Sequence, residues 1–317
     1  MADDVPEMTL QPADPRAASL ADGETDGQWR AASPGGAAFW RVREGGADVG
    51  SHVAPGRTTW IAARAVRFTE LADVERRSPS QGSPPASSPA DEALDRALNE
   101  AWAPRLGQAE DFVQYALPSE SEWQRGRFAG FDIVRTMGLL ALPLSADGPE
   151  TSRAGVAPLE HPDEQIRWLW DRCAGSFGAG AIRDADTFRW RFGDGRATHA
   201  MGVRDEHGVL RGYAVVRNVA WFGAPCAVVL DWLVPPEEPE VGAQLLAAVR
   251  AQARADGVDR VVSFLVEWSP WFTSFQDAGF RVHPSPLFLV ARSAARRFDH
   301  LWLRDHWWWT LADATVV

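Results

Sequence analysis

Two carboxylates stand inside apolar, strand-like runs. Asp231 interrupts VVLDWLV, and Glu70 lies near the end of WIAARAVRFTEL. A carboxylate so placed is costly to bury unless something bonds it. Each is therefore either a titrating group at a site or half of a structural ion pair, with an arginine such as Arg217 as partner for Asp231. Only two tyrosines exist, Tyr115 and Tyr213, and every basic residue is arginine. Without lysine, a Schiff base and a lysine general base are excluded. His300 and His306, each preceded by an aspartate, lack a third and fourth ligand at standard spacing, so no metal is expected. A strand–Gly-x-Ser-x-Gly–helix elbow is also missing, because Gly175-Ser176-Phe177-Gly178 has the wrong spacing. Among the sixteen tryptophans, Trp268, Trp271 and Trp308 are either core residues or the lining of an apolar or sugar-stacking groove.

These residues are carried by a chain of 317 residues with net charge −11, long enough for two cores of about 150 residues each. The acidic balance, with no basic stripe on any one helix, argues against nucleic acid or an anionic membrane as partner. Cys173 and Cys226 are too few and too far apart for a disulfide framework, which favours a reducing compartment. The acidic N-terminus has no apolar core and no run nears the roughly 18 apolar residues of a membrane span, so a soluble cytoplasmic protein is expected.

The clearest positioning element spans 226–280. Its pattern predicts a strand (226–234), a Pro/Glu-rich turn (235–239), an amphipathic helix (240–256), a strand (259–266), a short aromatic helix (270–278) and then Gly279-Phe280. Val241, Leu245, Leu246, Val249 and Ala253 recur at helical spacing. The first half follows the same plan. A hairpin spans 38–53, and a long strand over 60–71 precedes the Ser/Pro loop SPSQGSPPASSP. A helix over 91–108, a strand over 111–117, a short helix over 120–127, Gly130-Phe131 and a strand over 132–144 follow. The second half opens with helices over 162–173 and 186–192 and a hairpin over 199–218. It closes with a strand over 287–292 and a terminal strand through the three tryptophans at 307–309. Residues 1–27 read as a flexible acidic tail, 28–145 as one domain, 146–160 as a linker and 161–317 as a second domain. The unit is thus written twice, as paired domains.

This order resembles the GCN5-related N-acyltransferases (GNATs), and two phrases sharpen the resemblance. Arg183-Asp184-Ala185-Asp186-Thr187-Phe188-Arg189-Trp190-Arg191-Phe192 looks like the phrase that opens the second half of bacterial tandem GNAT-like proteins. Trp308-Trp309-Thr310-Leu311-Ala312-Asp313 is similar to their aromatic ending. The resemblance implies an α+β fold of two GNAT-like domains with mixed, mainly antiparallel sheets flanked by helices, the last strand able to cross back to the first domain. It also implies acetyl-CoA or another acyl-CoA as co-substrate and a small-molecule amine or amino sugar as acceptor. The cofactor's pantetheine arm would lie between splayed fourth and fifth strands, bonded by fourth-strand amides. In the first half these belong to Phe68 and Thr69. Its pyrophosphate would sit at the start of the following helix.

The sequence departs from the family at that turn. Where Arg/Gln-x-x-Gly-x-Gly/Ala belongs, the second half has PPEEPEVG: glutamates repel phosphate and the prolines lack N–H donors. The first-half turn keeps Arg76 and Arg77 with Gly82 and Ser83 in a loop of small residues, which is either a pyrophosphate seat or a solvated surface loop. Amine acylation needs a base and an acid. The resemblance makes Glu70 and Asp231 the candidate bases and Tyr115 the candidate acid, since the family's tyrosine position is Phe275 in the second half. The expected function is acyl-CoA-dependent N-acyl transfer by direct attack. The alternative is a catalytically inactive GNAT-like binding or scaffold protein.

Overall fold

The computed structural model describes residues 8–12, 30, 32–71, 75–76, 89–107, 111–144, 155–193, 198–221 and 223–315. Fifteen strands and seven α-helices are formed among them. The strands are β1 (Met8–Pro12), β2 (Ala37–Glu44), β3 (Ala47–Ile61), β4 (Arg64–Glu70), β5 (Glu75–Arg76), β6 (Val113–Ala116), β7 (Asp132–Pro143) and β8 (Val156–Pro158). They continue with β9 (Ala179–Ala181), β10 (Thr198–Arg204), β11 (Leu210–Trp221), β12 (Ala224–Leu233), β13 (Arg260–Ser263), β14 (Arg281–Ser293) and β15 (Trp307–Trp308). The helices are α1 (Pro89–Trp102), α2 (Glu120–Gln124), α3 (Glu164–Ala174), α4 (Ala185–Phe192), α5 (Pro239–Ala255), α6 (Pro270–Asp277) and α7 (His300–His306).

Two compact units result. Unit 1 takes Met1–Thr59, Ala65–Thr136 and Pro286–Arg304, and unit 2 takes Trp60–Arg64, Met137–Ser285 and Asp305–Val317. Their strand orders mirror one another: β1-β2-β3-β4-β6-β14 in unit 1 and β8-β10-β11-β12-β13-β7 in unit 2. Each contains one parallel pair bridged by a helix, β4/β6 across α1 and β12/β13 across α5. In each, a glycine in the left-handed region, Gly130 (φ 82°) and Gly279 (φ 96°), stands between the short helix and the next strand, a conformation only glycine adopts without cost. The following Phe131 and Phe280 are buried.

Local chemistry explains the helices. Asp163 and Asp184 cap α3 and α4, Ser119 and Glu122 form a reciprocal box at α2, and proline opens α5 and α6. On α5 the buried residues are Gly242, Leu245, Leu246, Ala248, Val249 and Ala253, so the expected stripe is buried except for the half-buried Val241. In unit 1 the core packs Trp40, Leu94, Leu98, Trp102, Phe128 and Phe131.

Several expectations need correction. The units are not contiguous in sequence: β7 leaves unit 1 after Thr136, and β14 returns to unit 1 at Pro286. In unit 1 β14 pairs with β6 (Val290 with Ala116), and in unit 2 β7 pairs with β13 (Leu140 with Ser263). The terminal tryptophans do not form the crossing strand; β15 pairs with β9 inside unit 2. Within the stretch read as a tail, Met8–Pro12 pairs with β2. The strand expected over 60–71 is broken, because Ala62 (φ 45°) and Ala63 (φ 67°) turn the chain between β3 and β4. Alanines rarely take that conformation, so composition carried no turn signal there. Of the expected linker, 146–154 lies outside the described residues, while β8 pairs with β10.

Candidate functional site

Asp231 lies on β12 in unit 2 and is 1% exposed. Arg183 grips it in a bidentate pair, Nε to Oδ2 at 3.0 Å and Nη2 to Oδ1 at 3.2 Å. The hydroxyls of Tyr213 and Thr310 each donate to it at 2.8 Å. Four donors saturate the lone pairs of one carboxylate. Arg183 also donates to Asp313 at 2.6 and 3.0 Å and to the Ala181 carbonyl at 3.1 Å. Burial opposes the charge on Arg183, but Asp231 and Asp313 outweigh it and hold the guanidinium well above its usual value. Burial and then Asp231 push the Tyr213 phenol well above its ordinary range. The partner of Asp231 is therefore Arg183 rather than Arg217, and the two family-like phrases meet here. Arg191 completes the join through the carbonyls of Leu311, Ala312 and Ala314.

Strand β12 runs beyond its parallel partner. The last β12/β13 pair is Val229 with Ser263, yet β12 continues to Leu233, registered only with β11. Beside this divergence a cavity of about 400 Å³ opens between α5 and α6, over Trp232, Gly242, Leu246, Arg250, Trp271 and Phe275. Among the described residues Arg250 makes no ion pair, and burial followed by Arg254 lowers its pKa.

The start of α5 does not offer a phosphate seat. Trp271 covers Gly242 so closely that a Cβ there has no room, and its Nε1 donates to the Val234 carbonyl at 3.0 Å. Arg211 and Arg172 hold Glu238; their bonds outweigh burial and keep its carboxyl below its usual value. An acyl-CoA would thus find a strand divergence and an apolar groove suited to its pantetheine end. Its diphosphate does not fit the usual place.

In unit 1, Glu70 and Tyr115 are side-by-side register partners across β4 and β6, at 2% and 1% exposure. Glu70 also pairs with Arg57, Oε2 to Nη2 at 3.6 Å. The structure brings this candidate base and candidate acid together, while Asp231 belongs to unit 2. Phe68 and Thr69 are buried and registered with Val113 and Gln114, and the Leu71 N–H still donates to the Tyr115 carbonyl at 2.7 Å. Through Leu71 β4 and β6 stay paired, and among the described residues no divergence like that of unit 2 forms. The Thr69 hydroxyl donates to Asp111 at 2.6 Å. Arg76 lies in β5 opposite Gly50, whereas Arg77, Gly82 and Ser83 lie outside the described residues.

The three groove tryptophans separate. Trp308 stacks on Phe177 at 4.8 Å and meets Trp268 edge-on at 6.4 Å, while Trp271 packs on Trp232 at 5.7 Å. Among the described residues no three His, Cys, Asp or Glu side chains converge as metal ligands. No helix among them is long and apolar enough to cross a membrane.

A mixed sheet with a helix-bridged parallel pair is the layout of the GCN5-related N-acyltransferase fold, and this chain has that fold in tandem. A probable N-acyltransferase of unknown function from Enterococcus faecalis V583 aligns with TM-score 0.59 and 11% identity, over 90% of this chain and 72% of that one. Saccharomyces cerevisiae N-myristoyltransferase with bound myristoyl-CoA aligns with TM-score 0.56 and 12% identity, over 90% and 78%. A tandem GNAT protein from the clavulanic acid biosynthesis pathway aligns with TM-score 0.50 and 16% identity, over 91% and 99%. No protein-family model matches the sequence, and no curated protein does.

Proposed function

We propose that this protein binds an acyl-CoA and transfers its acyl group directly to the nitrogen of a small amine or amino sugar. The observation that carries this reading is the divergence of β12 from β13 past Val229–Ser263, flanked by the groove between α5 and α6. Trp232, Leu246 and Phe275 would line the acyl and pantetheine end, and Arg250 is the cation placed to meet a phosphate. Similarity in fold to an N-myristoyltransferase solved with myristoyl-CoA supports the cofactor class. Glu70 and Tyr115 belong to unit 1, where β4 and β6 stay paired, and are not assigned as base and acid for this groove. Asp231, with its lone pairs filled, is left to structure.

A second reading is favoured by that saturation and by Trp271 over the start of α5: the groove binds an acyl-CoA without turnover. Titration with acetyl-CoA and myristoyl-CoA, followed by tryptophan fluorescence, tests the shared premise. A colorimetric thiol assay with a panel of amines separates the two readings. Binding with thiol release supports transfer, and binding without release supports the second reading. Failure of both acyl-CoAs to bind at millimolar concentration removes both.

A further inference from the structure

Unit 1 holds a second cavity, of about 540 Å³, between α1 and α2. Its lining differs from that of the α5/α6 groove. Three guanidiniums face it, Arg96, Arg125 and Arg292, together with three carboxylates, Glu92, Asp95 and Glu100. A volume of this size suits a small metabolite, and a few convergent polar groups are what fix one in place.

Two of these groups are incompletely bonded. Asp95 is 8% exposed; its Oδ1 faces Arg127 at 3.4 Å, but its Oδ2 is buried without a hydrogen-bond donor, Arg125 lying 4.0 Å away. Arg292 is held by neutral acceptors, Gln114 Oε1 at 2.8 Å and Asn99 Oδ1 at 3.4 Å, and lies over the Phe131 ring at 4.5 Å. Its Nη2 is buried without an acceptor, and no carboxylate among the described residues forms an ion pair with it. The nearby Asp111 is already shared by Arg67 at 3.5 Å and Arg105 at 3.3 Å. Burial lowers the Arg292 guanidinium to about 10 and raises the Asp95 carboxyl to about 6, so both charges are short of compensation.

A buried donor and a buried acceptor of opposite charge, unmatched within one cavity, call for a ligand that carries both complements. We infer that the cavity between α1 and α2 binds a small zwitterion of the α-amino-acid type, its carboxylate on Arg292 with Arg96 and its ammonium on Asp95. A coenzyme diphosphate is a poorer match, because three carboxylates share the lining and the adjacent β4/β6 pair stays closed. This inference does not rest on the acyl-transfer reading.

Isothermal titration of the full chain with each of the twenty L-amino acids tests it. The best ligand is then compared with its decarboxylated amine, its deaminated acid and acetyl-CoA. At least one amino acid should bind, and each truncated analogue should bind roughly tenfold or more weakly, the cost of a lost charged hydrogen bond. Arg292→Gln and Arg96→Ala should weaken binding to a similar degree. Arg96 is exposed, so its loss of binding cannot be assigned to unfolding, and circular dichroism checks Arg292→Gln. Absence of heat with every amino acid up to about 10 mM overturns the proposal, since sites weaker than that are no longer specific. So does an acid analogue that binds as well as the zwitterion, or acetyl-CoA competing for the same site.

Discussion

Arg183 and Asp231 form a fully buried bidentate pair that bridges residues 48 positions apart, and the same guanidinium reaches Asp313 across 130. The pair occupies the place where the sequence offers a catalytic carboxylate. Its chemistry is that of a latch, tying the C-terminal segment to β12. Removing Arg183 leaves two buried carboxylates with their countercharge gone. Arg183→Ala should therefore cost roughly 3–5 kcal/mol in urea unfolding, and Arg183→Lys should recover little, because lysine lacks the planar fork. A loss below about 1 kcal/mol, the scale of an exposed pair, would show that water reaches the site.

Asp95 predicts a pH dependence. Burial lifts its carboxyl from 3.8 to about 6, against the opposing pull of Arg127 and Arg125 and with smaller contributions from Asp91 and Glu122. A raised carboxyl means the native state keeps its proton where the unfolded state has lost it. Its contribution to stability is complete below about pH 4 and disappears as the pH rises through about 6. Thermal melts across that window should show a decline that Asp95→Asn flattens. An identical profile in the variant would assign the decline to another group.

The contact between Trp271 and Gly242 makes opposite demands on size. Gly242→Ala places a methyl against the indole and should destabilise by about 1–3 kcal/mol through overpacking. Trp271→Ala should cost about 3–5 kcal/mol as a cavity and uncover the start of α5. If Trp271 is what excludes a phosphate from that helix end, the same variant should bind acetyl-CoA more tightly than the parent. Unchanged affinity would place the obstruction in the glutamates instead.

Burial pushes the Cys173 thiol up to about 12. Only the thiolate reacts with disulfide reagents. In native protein at pH 8 Cys173 should stay silent toward Ellman's reagent and react only on unfolding. Modification on the timescale of an exposed cysteine would contradict its placement on α3.

Much of the fold was legible because its signals are local. The stripe on α5, the caps of α3 and α4, the hairpins and the paired Gly-Phe steps each lie within a few residues of what they specify, so periodicity and turn chemistry were enough. The break at Ala62–Ala63 was not legible, because residues without a turn preference are held there by their surroundings. At the site, the two family-like phrases could be seen as separate strings. Nothing in either string says that they close on one another over Asp231.

The sequence by itself determined the doubled order of elements and the mismatch of PPEEPEVG with a phosphate seat, since both follow from residue type and spacing. Only the tertiary structure decided which unit takes β7 and β14, which arginine meets Asp231, and that Arg292 and Asp95 share a cavity without satisfying each other. The physical reason is that burial and partner choice are set by contacts between residues tens to hundreds of positions apart. A charge in an apolar run shows that it needs a partner, and only the folded chain selects one.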